Sequence, residues 1–119
     1  MSRSLYAPLY TVIDDVAMGA NINGKATDVS RRDEIFYDVE WSAGAVPIGA
    51  MTFEWSDTND VNSIWKPLDF GQPISITGNT GNHQVLISKV NFKYVRPVYT
   101  RTSGDGTLKV GIRSSAKGV

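Results

Sequence analysis

The chain has 119 residues, 41% of them hydrophobic, which suits one domain around one core. It has no cysteine and one histidine, so disulfides, thiolate metal sites and ordinary zinc sites are excluded. Twelve basic residues balance twelve acidic ones, and the positive excess that drives non-specific nucleic-acid binding is missing.

Taken in chain order, residues 1–20 read as an irregular N-terminal arm. Leu5, Tyr6, Leu9, Tyr10, Val12 and Ile13 are apolar, but Pro8 and the pair Asp14-Asp15 interrupt any long element. The positive charge of Arg3 is not followed by an apolar region, so no secretory signal is expected. No run approaches the roughly 18 to 20 apolar residues that cross a bilayer. Two leucines and two tyrosines on such an arm call for packing, on its own domain or on a neighbour.

Gly19 to Gly24 is expected to turn, and Ala26 to Ser30 to form a short strand. Arg31-Arg32-Asp33-Glu34 reads as a solvated charged turn. From Glu34 to Ser42 the residues alternate: Ile35, Tyr37, Val39 and Trp41 on one face, Glu34, Asp38, Glu40 and Ser42 on the other, with Phe36 the exception. A loop over Ser42 to Pro47 leads to a strand from Ile48 to Trp55, and the two strands are expected to pair antiparallel. Ser56 to Ser63 is a polar loop, after which Ile64 and Trp65 are expected to re-enter the core.

A break at Gly71-Gln72-Pro73 precedes a short strand, Ile74 to Thr77. A turn over Gly78 to Asn82 precedes another strand, His83 to Val90. The stretch Asn91 to Arg113 reads as a hairpin turning at Ser103-Gly104-Asp105-Gly106. Val95, Pro97, Tyr99 and Arg101 would then face Leu108, Val110 and Ile112, with Tyr99 opposite Val110 in one register. Pro97 cannot donate to a ladder, which predicts an edge or a bulge there. Seven or eight short strands with no helical periodicity predict one all-β domain over residues 1–119, an antiparallel β-sandwich of jelly-roll type. Trp41, Trp55, Trp65, Tyr37, Phe53 and Tyr99 are the large core candidates.

Reacting groups are sparse. His83 ends a Gly/Asn loop and no nucleophile elbow occurs, so a surface histidine is the plainer reading. Asp57, Asn59 and Asp60 offer oxygens, but Asn62 and Leu68 stand where a calcium-binding EF-hand loop needs Gly and Glu. Glu40 and Glu54 fall on polar strand faces, which suits solvation better than a glycosidase pair. Phe92, Lys93, Tyr94 and Arg96 are the one place where bases would stack. No catalytic residue, cofactor or metal ligand is assigned.

From Ile48 onward the order is Phe53-Glu54-Trp55-Ser56, a polar loop, Trp65 before Leu68, Lys93-Tyr94-Val95-Arg96-Pro97, Tyr99 to Leu108, and a closing Lys117. This resembles small β-sandwich virion proteins of tailed bacteriophages, which often end in a hairpin of the form YxRxxYTxTSGxGTLxVxI. The resemblance implies a non-enzymatic part of the virion, made in the bacterial host cytoplasm. The specific expectation is a head decoration or cement protein that bridges and stabilises capsid subunits. Its partners would be the major capsid protein or other virion proteins and further copies of itself, with neither nucleic acid nor membrane. Leu5, Tyr6, Leu9 and Tyr10 on the arm, with Arg101 and Arg113, are the expected interface. The alternative is a carbohydrate- or host-surface-binding module of a fibre or adhesin, with Trp65 and Trp41 as platforms.

Overall fold

A computed structural model describes residues 10–69 and 72–116. Every regular element among them is a β-strand: β1 (Tyr10–Ala17), β2 (Ile22–Asn23), β3 (Thr27–Asp28), β4 (Arg32–Ser56), β5 (Lys66–Pro67), β6 (Ile74–Ile76), β7 (Gly81–Ser88) and β8 (Tyr94–Ala116). The two long strands organise the rest. β4 and β8 run antiparallel from Arg32 opposite Ala116 to Ser56 opposite Tyr94. β1, β2 and β3 line the far side of β8, and β7, β6 and β5 the far side of β4, all antiparallel. Four runs of chain therefore lie side by side as one ribbon.

That ribbon is folded over. A straight 25-residue strand would reach about 80 Å at ~3.3 Å per residue, yet the molecule's longest extent is 44 Å. The crease crosses all four runs, at residues 18–21, 43–47, 77–80 and 103–106. Between Ser42 and Gly49 the register of β4 against β8 slips repeatedly. Asp15, Ala43, Val46, Gly78 and Gly104, all with positive φ, stand at or beside the crease. Chains pass too close there for ordinary side chains: a β-carbon on Gly104 would run into the Val46 carbonyl oxygen. Asparagines tie the runs together. Val46 N–H donates to Asn79 Oδ1 at 2.9 Å and Arg101 N–H to Asn21 Oδ1 at 2.8 Å.

Folding the ribbon makes two layers. One has the order β1–β8–β4–β7, using residues 107–116 of β8 and 32–42 of β4. The other places β2 and β3, then residues 94–103 of β8, then 48–56 of β4, then β6 and β5. Short links, Asp28 to Arg32 and Ser88 to Tyr94, step between layers at the open ends. In the first, Ser30 donates through its N–H and its hydroxyl to Asp28 Oδ1, at 2.9 and 2.7 Å. These bonds hold the Asp28 carboxyl below the usual range.

The facing surfaces are the alternating apolar sets. Ile35, Tyr37, Val39, Val85, Ile87, Leu108, Val110 and Ile112 from the first layer meet Met51, Phe53, Ile74, Ile76, Val95 and Tyr99 from the second, all buried. Tyr37 stacks on Phe53 with ring centroids 4.4 Å apart, although both belong to β4. Burying each such side chain contributes roughly 1.5–3 kcal/mol. The molecule is an all-β antiparallel sandwich.

Several connections differ from the sequence reading. Asn91 to Arg113 is not a hairpin. Gly104, at φ 76, bends a continuous strand, so Tyr99 lies opposite Met51 and Val110 opposite Val39. The segments 34–42 and 48–55 do not pair with each other; they are halves of β4 that face across the core. Pro97 meets its expectation: the ladder on one side of β8 is interrupted there, with one more residue between Asn23 and Thr27 than between Val95 and Val98. Its carbonyl accepts Gly24 N–H at 2.8 Å, so its nitrogen points the same way, into the break between β2 and β3. A missing donor costs nothing where no strand asks for one.

The irregular arm expected over residues 1–20 is, from Tyr10, a strand. Asp14 and Asp15 bulge β1 rather than ending it. Ile64 stays 76% exposed and Trp65 is half-buried, so neither re-enters the core. His83 lies within β7, opposite Val39, and is exposed, in the strand expected from His83 onward.

Candidate functional site

Three surface features carry recognisable chemistry. The first is a cleft of about 370 Å³ beside the crease. Glu40 sits in register with Lys109 on one side and Asn82 on the other, a polar row across three strands on the outer face of the first layer. Asp15 reaches the cleft from the bulge of β1, with Thr80 and Thr107 on its rim. Trp41 forms part of its wall, but its side chain belongs to the buried set and is 8% exposed. Gly81 lies across the indole so closely that any β-carbon would collide with the ring. The indole Nε1–H is buried with no partner among the described residues. Such a cleft can hydrogen-bond a small polar molecule; it offers no open aromatic face for stacking.

The second feature is a locked stack on the outer face of the second layer. Arg96 and Glu54 are cross-strand partners, and Arg96 donates through Nε and Nη2 to Glu54 Oε1 at 2.9 and 2.7 Å. The guanidinium lies 4.4 Å from the Trp65 ring centre. One face of Trp65 is therefore covered, which corrects the expectation that Trp65 and Trp41 are free platforms. Glu40 and Glu54 stand on different layers and form no carboxylate pair. Phe92 is buried against Trp55, centroids 5.9 Å apart, so the Phe92-Lys93-Tyr94-Arg96 stretch presents no ladder for bases. In the 57–65 loop, Asp60 Oδ1 accepts Asn62 N–H at 2.8 Å and Thr58 Oγ1 bonds Ser63 Oγ at 2.8 Å. Those oxygens shape the turn.

The third feature is the set of predicted contact residues. Leu5, Tyr6 and Leu9 lie outside the described residues. Tyr10 opens β1 opposite Ile112 and is 62% exposed, on the other side of the sheet from Arg113. The Arg113 guanidinium lies 5.5 Å from the Phe36 ring centre. Arg101 is exposed at the crease, its Nε donating to Gly104 O at 2.9 Å. Arg101 and Arg113 stand on opposite sides of the crease and form no common patch.

Sequence reasoning missed the exposed apolar positions Val46, Val61, Ile64 and Leu86. For Leu86 a signal existed. It and Phe36 both break their strands' alternation, and the fold sets them directly opposite each other on the outer face. No protein-family model and no curated protein sequence matches this chain.

Proposed function

We propose that the protein is a non-enzymatic structural component of a tailed-phage particle, a head decoration or cement protein that bridges and stabilises capsid subunits. The observation that carries this reading is the position of the uncovered apolar side chains. Val46 stands on the crease, Val61 and Ile64 on the 57–65 loop, and Tyr10 at the start of β1. These are protruding parts of a sandwich, where a larger surface can cover them and bury apolar area. The resemblance of Tyr94 to Ile112 to virion proteins supports the same reading.

Co-sedimentation with expanded capsids tests it. The wild type is expected to pellet with capsids, and Val61→Asp/Ile64→Asp to lose most of that binding with an unchanged far-UV spectrum. A wild type that stays in the supernatant at every capsid concentration would overturn the reading. Truncations for this purpose must stop before Tyr10, since Val12 and Ile13 are buried.

The polar row of Glu40, Lys109 and Asn82 favours a second reading, a carbohydrate- or host-surface-binding module. It predicts glycan binding that Glu40→Gln weakens, with no affinity for capsids.

A further inference from the structure

The sheet has several outer edges, and all but one are blunted. β1 carries two register shifts and the acidic pair Asp14-Asp15. β2 and β3 are two residues each, separated at Gly24. β5 is two residues and includes Pro67; β6 is three residues and follows Pro73. Short length, proline, charge and bulges are the devices by which proteins keep strand edges from pairing with other chains. β7 has none of them. It pairs with β4 over eight residues, Gly81 to Ser88, without a register shift. It contains no proline, lysine, arginine or acidic residue, and His83 is its one ionisable side chain. Lys89, with φ 58, comes only after the strand has ended. Among the described residues, no strand pairs with its outer edge.

We infer that β7 is a self-pairing edge: the β7 strands of two copies meet antiparallel across a two-fold axis and join their first layers into one sheet. The occupant follows from what β7 presents. A two-fold normal to the sheet sets residues of equal parity opposite each other. Val85 and Ile87 then continue the inner apolar band of the partner layer, while Gln84 and Leu86 share the outer face. Leu86, 57% exposed in the single chain, gains a neighbouring strand beside it. Apart from His83 the strand has no ionisable side chain to repel its own copy, and the chain's net charge is zero. This inference stands independently of the phage reading.

Sedimentation velocity across a concentration series tests it, with the double variant Gln84→Lys/Leu86→Lys. Both side chains lie on the solvated outer face, so the single chain keeps its core. In the registers that place Gln84 or Leu86 opposite Asn82, Gln84, Leu86 or Ser88 of the copy, the variant sets lysines across from or diagonal to one another. The wild type is expected to dimerise with concentration, and the double variant at least tenfold more weakly, with unchanged far-UV spectrum and melting temperature. Amide hydrogen exchange on the wild type gives a readout that needs no variant: β7 amides are protected at dimer concentrations and lose protection on dilution. A monomeric wild type, equal dimerisation of the double variant, or β7 exchange that ignores concentration would each overturn the inference.

Discussion

Tyr37 carries a hydroxyl into the core, where no described residue partners it. Its oxygen is buried and unbonded among the described residues, whereas Tyr99 Oη donates to Ile48 O at 3.4 Å. Burial pushes the Tyr37 phenol well above its ordinary value; it raises Tyr99 as well, opposed by Arg101 and reinforced by Asp105. A phenol whose folded-state pKa lies above the unfolded value of about 10 leaves stability unchanged by ionisation below that pH, and the fold loses stability as pH rises past it. Tyr37→Phe is therefore expected to raise stability by about 1 kcal/mol at neutral pH, since an unsatisfied buried group is removed. It should also reduce the fall in urea midpoint between pH 8 and pH 11, leaving the part due to Tyr99. Gly104 makes the opposite case. Gly104→Ala combines a positive φ with a collision against the Val46 carbonyl oxygen, and should cost about 3 kcal/mol in urea unfolding.

At the scale of elements, β8 is central because its one proline is accommodated. The Pro97 ring packs against Gly24, where a β-carbon would come within 2.5 Å of Cγ. Gly24→Val is expected to push β2 and β3 away from β8 and cost about 2 kcal/mol, read by thermal unfolding. β1 depends on its inward residues more than on its regularity, since it is bulged twice and still buries Val12 and Ile13. Removing residues 1–12 should therefore cost about 2 kcal/mol from lost burial of Val12 and lost pairing with β8, measured by the urea midpoint.

Over the whole molecule, stability and folding speed have one origin. β1 pairs with the far end of the chain, and both long strands must meet along their length before either layer is complete. Pairings between distant segments close large loops before any contact rewards them. Refolding by stopped-flow fluorescence is expected in the millisecond-to-second range, far slower than for a helical domain of this size. The same topology leaves apolar side chains uncovered at the crease and on the 57–65 loop, and the outer edge of β7 unpaired among the described residues.

Alternation along the chain determined which side chains turn inward: Ile35, Tyr37, Val39, Phe53, Ile74, Val85, Tyr99, Leu108 and Val110 are all buried as their parity demands. It did so because a strand's two faces are a local property of the backbone. What pairs with what was decided only by the tertiary structure. Ser103 to Gly106 and Ser42 to Pro47 carry the same Gly, Asp, Ser and Pro vocabulary whether a chain reverses or merely bends. The hydrogen bonds that choose between those outcomes come from segments far away in sequence. The exposure of Arg113 was legible for the first reason, whereas Arg101, which shares the parity of Val95 and Tyr99, is turned out only by the register slip at the crease. The cleft of Asp15, Glu40 and Lys109 was not, because only the register of β4 against its neighbours and the bulge of β1 bring those three together.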